Sequence, residues 1–201
     1  MKKYISASII LSLSFLLVTA QTKRKNNSGS KFTSIIQLGI LEGDAGKTFG
    51  QIQLVNGIQQ NAWFYGLGVG IDYYGSKRSV PLFVDVKRDL RKGNKTPFVF
   101  VDAGYNFSWL RAGEKNIIWD MDYKASGGLY YEAGLGYKFI LKNKITIGFS
   151  AGYSFKHQKE TYGTTLLIEA PIFSQPYYYN PPVNSYDYKF RRISIKFNCS
   201  F

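Results

Sequence analysis

Apolar and polar residues alternate without a break over Arg192-Ile193-Ser194-Ile195-Lys196-Phe197-Asn198-Cys199-Ser200-Phe201, every odd position being apolar and every even one polar or charged. A period of two is the mark of a strand with one face against an apolar phase and the other against polar groups. Seven further segments carry strand patterning, which predicts eight strands in all: Thr33 to Glu42, Thr48 to Ile58, Ala62 to Tyr74, Ser79 to Leu90, Thr96 to Trp109, Gly128 to Leu141, Lys144 to Gln158 and Tyr186 to Phe201. Most have ten or more residues, the length a tilted strand needs to cross a bilayer, whereas strands of soluble sheets are usually shorter.

The two faces can be assigned along each segment. In the fifth, Val99, Val101, Ala103, Tyr105 and Phe107 share one side, while Phe98, Phe100, Asp102, Gly104 and Asn106 share the other. In the third, Trp63, Tyr65, Leu67, Val69, Ile71 and Tyr73 oppose Phe64, Gly66, Gly68, Gly70 and Asp72. One face is thus a continuous apolar stripe with aromatics toward its ends. The other holds Asp72, Asp85, Lys87, Asp102, Glu132, Lys138, Arg192, Lys196 and many glycines. An apolar stripe repeated over eight strands exceeds the few hundred Å² that soluble monomers expose. The pattern therefore predicts an all-β fold, an eight-stranded antiparallel up-and-down transmembrane barrel, with the stripe toward lipid and the charges toward the lumen.

Connection lengths agree with this topology. With an even number of strands both termini lie on the periplasmic side, and the short turns Gln59-Gln60-Asn61, Lys92-Gly93-Asn94-Lys95 and Lys142-Asn143-Lys144 fall there. The long connections, Leu110 to Gly127 and Lys159 to Ser185, fall on the outer side, as outer-membrane barrels require.

The last strand, ending on Phe201, resembles the closing strand of bacterial outer-membrane barrels, where a terminal outward aromatic is read by the barrel-insertion machinery. That resemblance implies that Phe197 and Phe201 form an assembly signal. The runs Gly66-Leu67-Gly68-Val69-Gly70-Ile71-Asp72-Tyr73, Val80-Pro81-Leu82-Phe83, Pro97-Phe98-Val99 and Gly134-Leu135-Gly136-Tyr137-Lys138-Phe139 widen it. They resemble small outer-membrane barrels of the Bacteroidota type, similar to outer-membrane protein A-like barrels without a periplasmic domain.

The N-terminal region fits the same destination. Met1 to Ala20 has Lys2 and Lys3, an apolar core of about ten residues and small residues before Gln21, which predicts a signal peptide over 1–20 rather than a spanning helix. Residues 21–31 read as a polar, basic periplasmic tail and 32–201 as the barrel domain. The formal charge of +13 falls to +11 without Lys2 and Lys3. Export argues against nucleic acid as the counter-charge and favours outer-membrane lipids and lipopolysaccharide.

Candidate chemistry is sparse. The inward charges layer as Asp72, Glu132, Lys156 and Arg192 toward the outer end, Asp85, Asp102 and Lys196 in the middle, and Lys87 and Lys138 toward the periplasm. Opposite charges in each layer predict a structural ion-pair plug, because an eight-stranded lumen is only wide enough for side chains. The alternative is a narrow pore for ions or small solutes, with the inward glycines leaving space. A second alternative is a lipid A-modifying enzyme, as some eight-stranded outer-membrane barrels are. His157 is the single histidine and would have to serve, but parity sets it on the face opposite Ser154. One histidine and one cysteine without clustered spacing predict no metal site, and no catalytic residue or cofactor is expected. The connection Lys159 to Ser185, with Tyr177-Tyr178-Tyr179 among four prolines, suits either a rigid contact surface for an extracellular ligand or residues that cap the barrel mouth or extend the hairpins above the membrane. The expected protein is a monomeric, non-enzymatic structural or surface-binding barrel.

Overall fold

The structure, a computed structural model, describes residues 30–43, 47–74, 77–109, 121–141, 145–164, 166–168, 177–179 and 184–201. The expected signal peptide lies outside these residues, as do most of the basic tail and the Lys142-Asn143-Lys144 turn. Eleven strands are present among them: β1 (Ser30–Gly43), β2 (Lys47–Gln60), β3 (Trp63–Tyr74), β4 (Lys77–Asp89), β5 (Lys95–Trp109), β6 (Met121–Ser126), β7 (Gly128–Ile140), β8 (Thr146–Thr164), β9 (Leu166–Ile168), β10 (Tyr177–Tyr179) and β11 (Asn184–Ser200).

Eight of them close a barrel. β1 to β5 pair in sequence, β5 pairs with β7, β7 with β8, β8 with β11 and β11 with β1, every pair antiparallel. The seam runs from Ile35↔Ser200 to Gly43↔Arg192. It is finished by a reciprocal pair of 3.0 Å backbone hydrogen bonds between Ser34 and Phe201. Closure leaves no open edge in the body of the sheet, and the β3–β4 ladder is interrupted only between Val69↔Leu82 and Asp72↔Ser79, where Pro81 has no N–H to donate.

The period-two pattern becomes an inside and an outside. Leu38, Leu54, Leu67, Val84, Val101, Leu135, Phe149 and Ile195, one from each barrel strand, are all exposed on the outer surface. Asp72, Asp85, Asp102, Glu132 and Lys196, by contrast, are all at most 1% exposed. Burial alternates accordingly along β3, where Phe64, Gly66, Gly68, Gly70, Asp72 and Tyr74 are buried and the residues between them are exposed or half-buried.

The two ends differ. At one end lie the tight turns after β2 and β4, where Asn61 (φ 55°) and Gly93 (φ 146°) take the left-handed region that a short reversal requires. At the other end β8 and β11 run on beyond the rim, paired out to Asn184↔Tyr162, and β6 adds to the far side of β8 from Ser126↔Lys159 to Met121↔Thr164. β9 and β10 form a separate two-stranded pair.

This three-stranded flap agrees with the alternative that Lys159 to Ser185 extends the hairpins, and it corrects the reading of Leu110 to Gly127 as a plain connection. The stretch Leu110 to Gly127 contains β6, and Lys159 to Ser185 contains the end of β8, both short strands and the start of β11. The residues there, such as Lys159-Glu160-Thr161, are polar on both faces, so strand pairing above the rim leaves no alternation to read.

β6 and β7 are one strand broken by a bulge. Ser126 pairs with Lys159 and Tyr130 with Lys156, so residues 127–129 face only 157–158. The extra residue is accommodated by Gly127 and Gly128. A Cβ on the first would strike the Asn106 carbonyl, and one on the second would strike the His157 ring.

Candidate functional site: the filled interior and its outer mouth

Bulky inward side chains and inward glycines face one another directly across the ladders. Phe83 is opposite Gly68 on β3 and Gly104 on β5, while Phe98 and Phe100 are opposite Gly136 and Gly134 on β7. Gln53 is opposite Gly70, Lys196 opposite Gly39 and Arg192 opposite Gly43. A Cβ on Gly68 would enter the Phe83 ring, on Gly136 the Phe98 ring, and on Gly39 or Gly43 the stem of Lys196 or Arg192. Large against small across facing positions is how a narrow core interdigitates. The glycines do leave space, as the pore alternative supposed, but rings and long side chains occupy it. Phe64, Phe83, Phe100 and Tyr130 are at most 2% exposed.

The charged groups interleave with these rings. Near the flap end, Asp72 forms an ion pair with Lys156 and accepts hydrogen bonds from the Tyr74 and Ser79 hydroxyls, each at 3.1 Å. The Lys156 ammonium also lies 4.9 Å from the centre of the Tyr130 ring. The Tyr130 hydroxyl donates to Glu132 Oε2 at 3.0 Å and accepts from Gln53 Nε2 at 3.3 Å.

In the middle, Lys196 binds Glu132 at 2.6 Å and reaches Asp102 at 3.5 Å, with Ser194 Oγ donating to Glu132 Oε1 at 2.5 Å. Lys87 binds Asp85 at 2.8 Å. Toward the tight turns Lys138 binds Asp89 at 2.8 Å. Beside this last pair is a cavity of about 50 Å³, lined by Lys87, Asp89, Lys138, Asn198, Phe64 and Phe98 among others.

All eight expected network residues point inward, Lys138 being partly buried and the rest buried. Two expectations about their layers need correction. Glu132 belongs to the middle, because register sets Asp85 opposite Asp102 and Asp102 opposite Glu132 in one row. A one-residue change in strand register moves a side chain several Å along the axis, which segment boundaries alone do not resolve.

Arg192 shares its layer with no paired carboxylate among the described residues. Its guanidinium lies 4.4 Å from the Phe49 ring centre, 4.5 Å from Tyr74 and 5.2 Å from Phe190. Lys156 is legible from its parity, and Asp89, two residues on from Lys87 and four from Asp85, carries the same signal although it is not among the expected network residues. The uncharged Tyr130, Gln53 and Ser194 carry no sign in the sequence that they complete an ion-pair network.

His157 lies outside, half-buried over the bulge, with Nε2 2.5 Å from Asp187 Oδ1. Asp187 stands thirty residues away in sequence, and only the β8–β11 register brings it near. Ser154 is buried at 2% on the inner face, as the parity argument placed it. Among the described residues no group of three histidine, cysteine or acidic side chains is arranged to hold a metal ion. Phe197 and Phe201 both stand exposed on the outer surface of the closing strand. No protein-family model matches the chain, and no curated protein matches it in a sequence search.

Proposed function

We propose that the chain is an integral outer-membrane β-barrel with a structural or surface-binding role, a lumen closed by side chains and no catalytic activity. The observation that carries this reading is the outer surface of β4. Arg78 lies against Tyr73 and Trp109 at 5.5 and 5.9 Å, and Arg88 against Trp63 at 5.0 Å. Between them the outward residues are Val80, Leu82, Val84 and Val86. Ten residues of strand at about 3.3 Å each, tilted by about 40°, span about 25 Å, the height of the apolar band of a membrane barrel. Cation–aromatic pairs at both borders suit the two water–lipid interfaces.

The outward residues on the other strands continue the band around the barrel, and lipid is the phase that removes such a surface from water. Export through the predicted signal peptide, insertion by the barrel-insertion machinery and residence among outer-membrane lipids and lipopolysaccharide belong to the same reading. The non-enzymatic role is supported by the separation of His157 from Ser154 on opposite sides of the wall.

Neighbouring residues of β5 test the proposal. Val101 is 54% exposed outside and Asp102 is buried inside. Val101→Arg is expected to cost ~2–4 kcal/mol of folding free energy in lipid vesicles, while Asp102→Asn folds normally. Equal tolerance of the two, measured by folding into vesicles against denaturant, would remove the membrane assignment.

A further inference from the structure

The tight turn between β4 and β5 gathers cations that the barrel does not neutralise. Arg88, Arg91, Lys92 and Lys95 fall within eight residues, and all four are exposed. Asp89 is the one acidic side chain among the described residues at this end, and Lys138 engages it inward at 2.8 Å. None of the four exposed cations has a carboxylate partner among the described residues.

The turn that carries them is held in place. Leu90 N–H donates to the Pro97 carbonyl at 2.9 Å, Ile140 N–H to the Asn94 carbonyl at 2.8 Å, and the Thr96 hydroxyl to the Gly93 carbonyl at 2.8 Å. The N–H groups of Arg91, Lys92, Gly93 and Asn94 meet no backbone carbonyl among the described residues. Successive exposed N–H groups beside cationic side chains are donors for an anion, and the oxygens of a phosphate take several donors at once.

Apolar surface accompanies the charge. Arg88 lies 5.0 Å from the centre of the Trp63 ring, at the border of the apolar band, and Leu90 on the same outward face is 57% exposed. Three residues at about 3.3 Å each, tilted by about 40°, set Arg91 about 8 Å beyond Arg88, the depth of lipid headgroups. A soluble anion would use the cations alone. A leucine and an indole exposed beside them suit an amphiphile, whose phosphate meets the turn while its acyl chain runs along the barrel wall.

We infer that the β4–β5 turn binds an anionic phospholipid of the leaflet on its own side, with Arg91, Lys92 and Lys95 holding the headgroup phosphate and Leu90 and Trp63 carrying an acyl chain. This names a lipid partner for the membrane barrel proposed above and rests on that reading.

The test is quenching of Trp63 fluorescence by lipids with brominated acyl chains. The full chain, carrying Trp109→Phe and Trp119→Phe, is folded into phosphatidylcholine vesicles that contain either brominated phosphatidylglycerol or brominated phosphatidylcholine. Phosphatidylglycerol is expected to bind beside Trp63 about fivefold or more tighter than phosphatidylcholine, since each cation near an anionic headgroup is worth about that factor. Arg91→Gln with Lys92→Gln is expected to abolish the preference, and the charge-matched pair Arg78→Gln with Arg191→Gln, at the flap end, to keep it. Equal quenching by the two brominated lipids overturns the inference. So does a preference unchanged in the Arg91 and Lys92 variant, an equal loss in the charge-matched pair, or displacement of the lipid by millimolar inorganic phosphate, which would mark a site for soluble anions. Should the single-tryptophan chain not fold, native mass spectrometry of the otherwise wild-type chain decides. Phosphatidylglycerol retained by it and lost with Arg91→Gln and Lys92→Gln supports the inference, and equal retention overturns it. Quenching by neither brominated lipid would place Trp63 outside lipid and overturn the membrane reading together with this inference, whereas equal quenching by both overturns this inference alone.

Discussion

Asp102 and Lys196 carry the sharpest electrostatics in the barrel. Three carboxylates, Asp85, Asp102 and Glu132, stand side by side on adjacent strands, and like charges directly across a ladder repel. Lys87 answers the first and Lys196 answers the third more closely than the second. Removing Lys196 leaves Glu132 and Asp102 buried without their nearest cation, so Lys196→Ala is expected to cost roughly 3–5 kcal/mol. Asp102→Asn removes a repelling neighbour and leaves Lys196 paired with Glu132, so it is expected to cost less than Lys196→Ala, which strands two buried carboxylates. Denaturant unfolding in vesicles reads both, and a Lys196→Ala variant as stable as Asp102→Asn would show that the middle row is not held by this ammonium. The glycine seats make a second prediction. Gly68→Val should lose roughly 1–3 kcal/mol because its side chain enters the volume of the Phe83 ring, and Phe83→Leu should recover part of that loss. A double variant no better than Gly68→Val would mean that the two positions do not share space.

At the scale of elements, what could be read from the chain was whatever alternated. The eight barrel strands, their order and the inward direction of Asp72, Asp85, Asp102 and Lys196 all follow from period two, because each strand divides two phases of different polarity. Where β8 runs beyond the rim, residues such as Lys159-Glu160-Thr161 are polar in succession, and the alternation of apolar with polar is lost although the hydrogen-bond ladder continues. The pairings that matter for chemistry were illegible for another reason. Glu132 with Lys196, His157 with Asp187 and Phe83 with Gly68 depend on register, which is fixed by turns, by the bulge at Gly127 and Gly128 and by closure of the seam. The seam itself ends in the Ser34–Phe201 backbone pair, with the Phe201 ring outside at 56% exposure. Deletion of Phe201 removes both hydrogen bonds of that pair and the outward aromatic together. Slower barrel assembly is expected in pulse-chase measurements, and an unchanged rate would strip the closing residue of its proposed role as an assembly signal.

For the molecule as a whole, the question is whether a closed barrel of this width passes anything. Charge inside does not decide it, since a row of ionised groups can line a path or block one. Occupancy does. From the flap end inward, the axis meets Arg192 among three rings, then the Asp72–Lys156 pair, then Tyr130 and Glu132, then Phe100 and Lys196, most of them less than 3% exposed. A cavity of about 50 Å³ lies by Asp89 and Lys138, at the end of the barrel opposite Arg192. Opening a route would require rings seated against glycine to leave those seats together and would expose Asp102 and Glu132 to solvent. Purified protein in planar bilayers is therefore expected to be silent, and Lys196→Ala, if it folds, should remain silent because Phe100 and Tyr130 still occupy the section. Steady single-channel openings in wild type, altered in size or ion selectivity by Lys196→Ala, would instead make the interior charges the lining of a conduction path. In that case Phe83→Ala or Phe100→Ala should enlarge the openings, because each removes a ring from the narrowest part of the barrel.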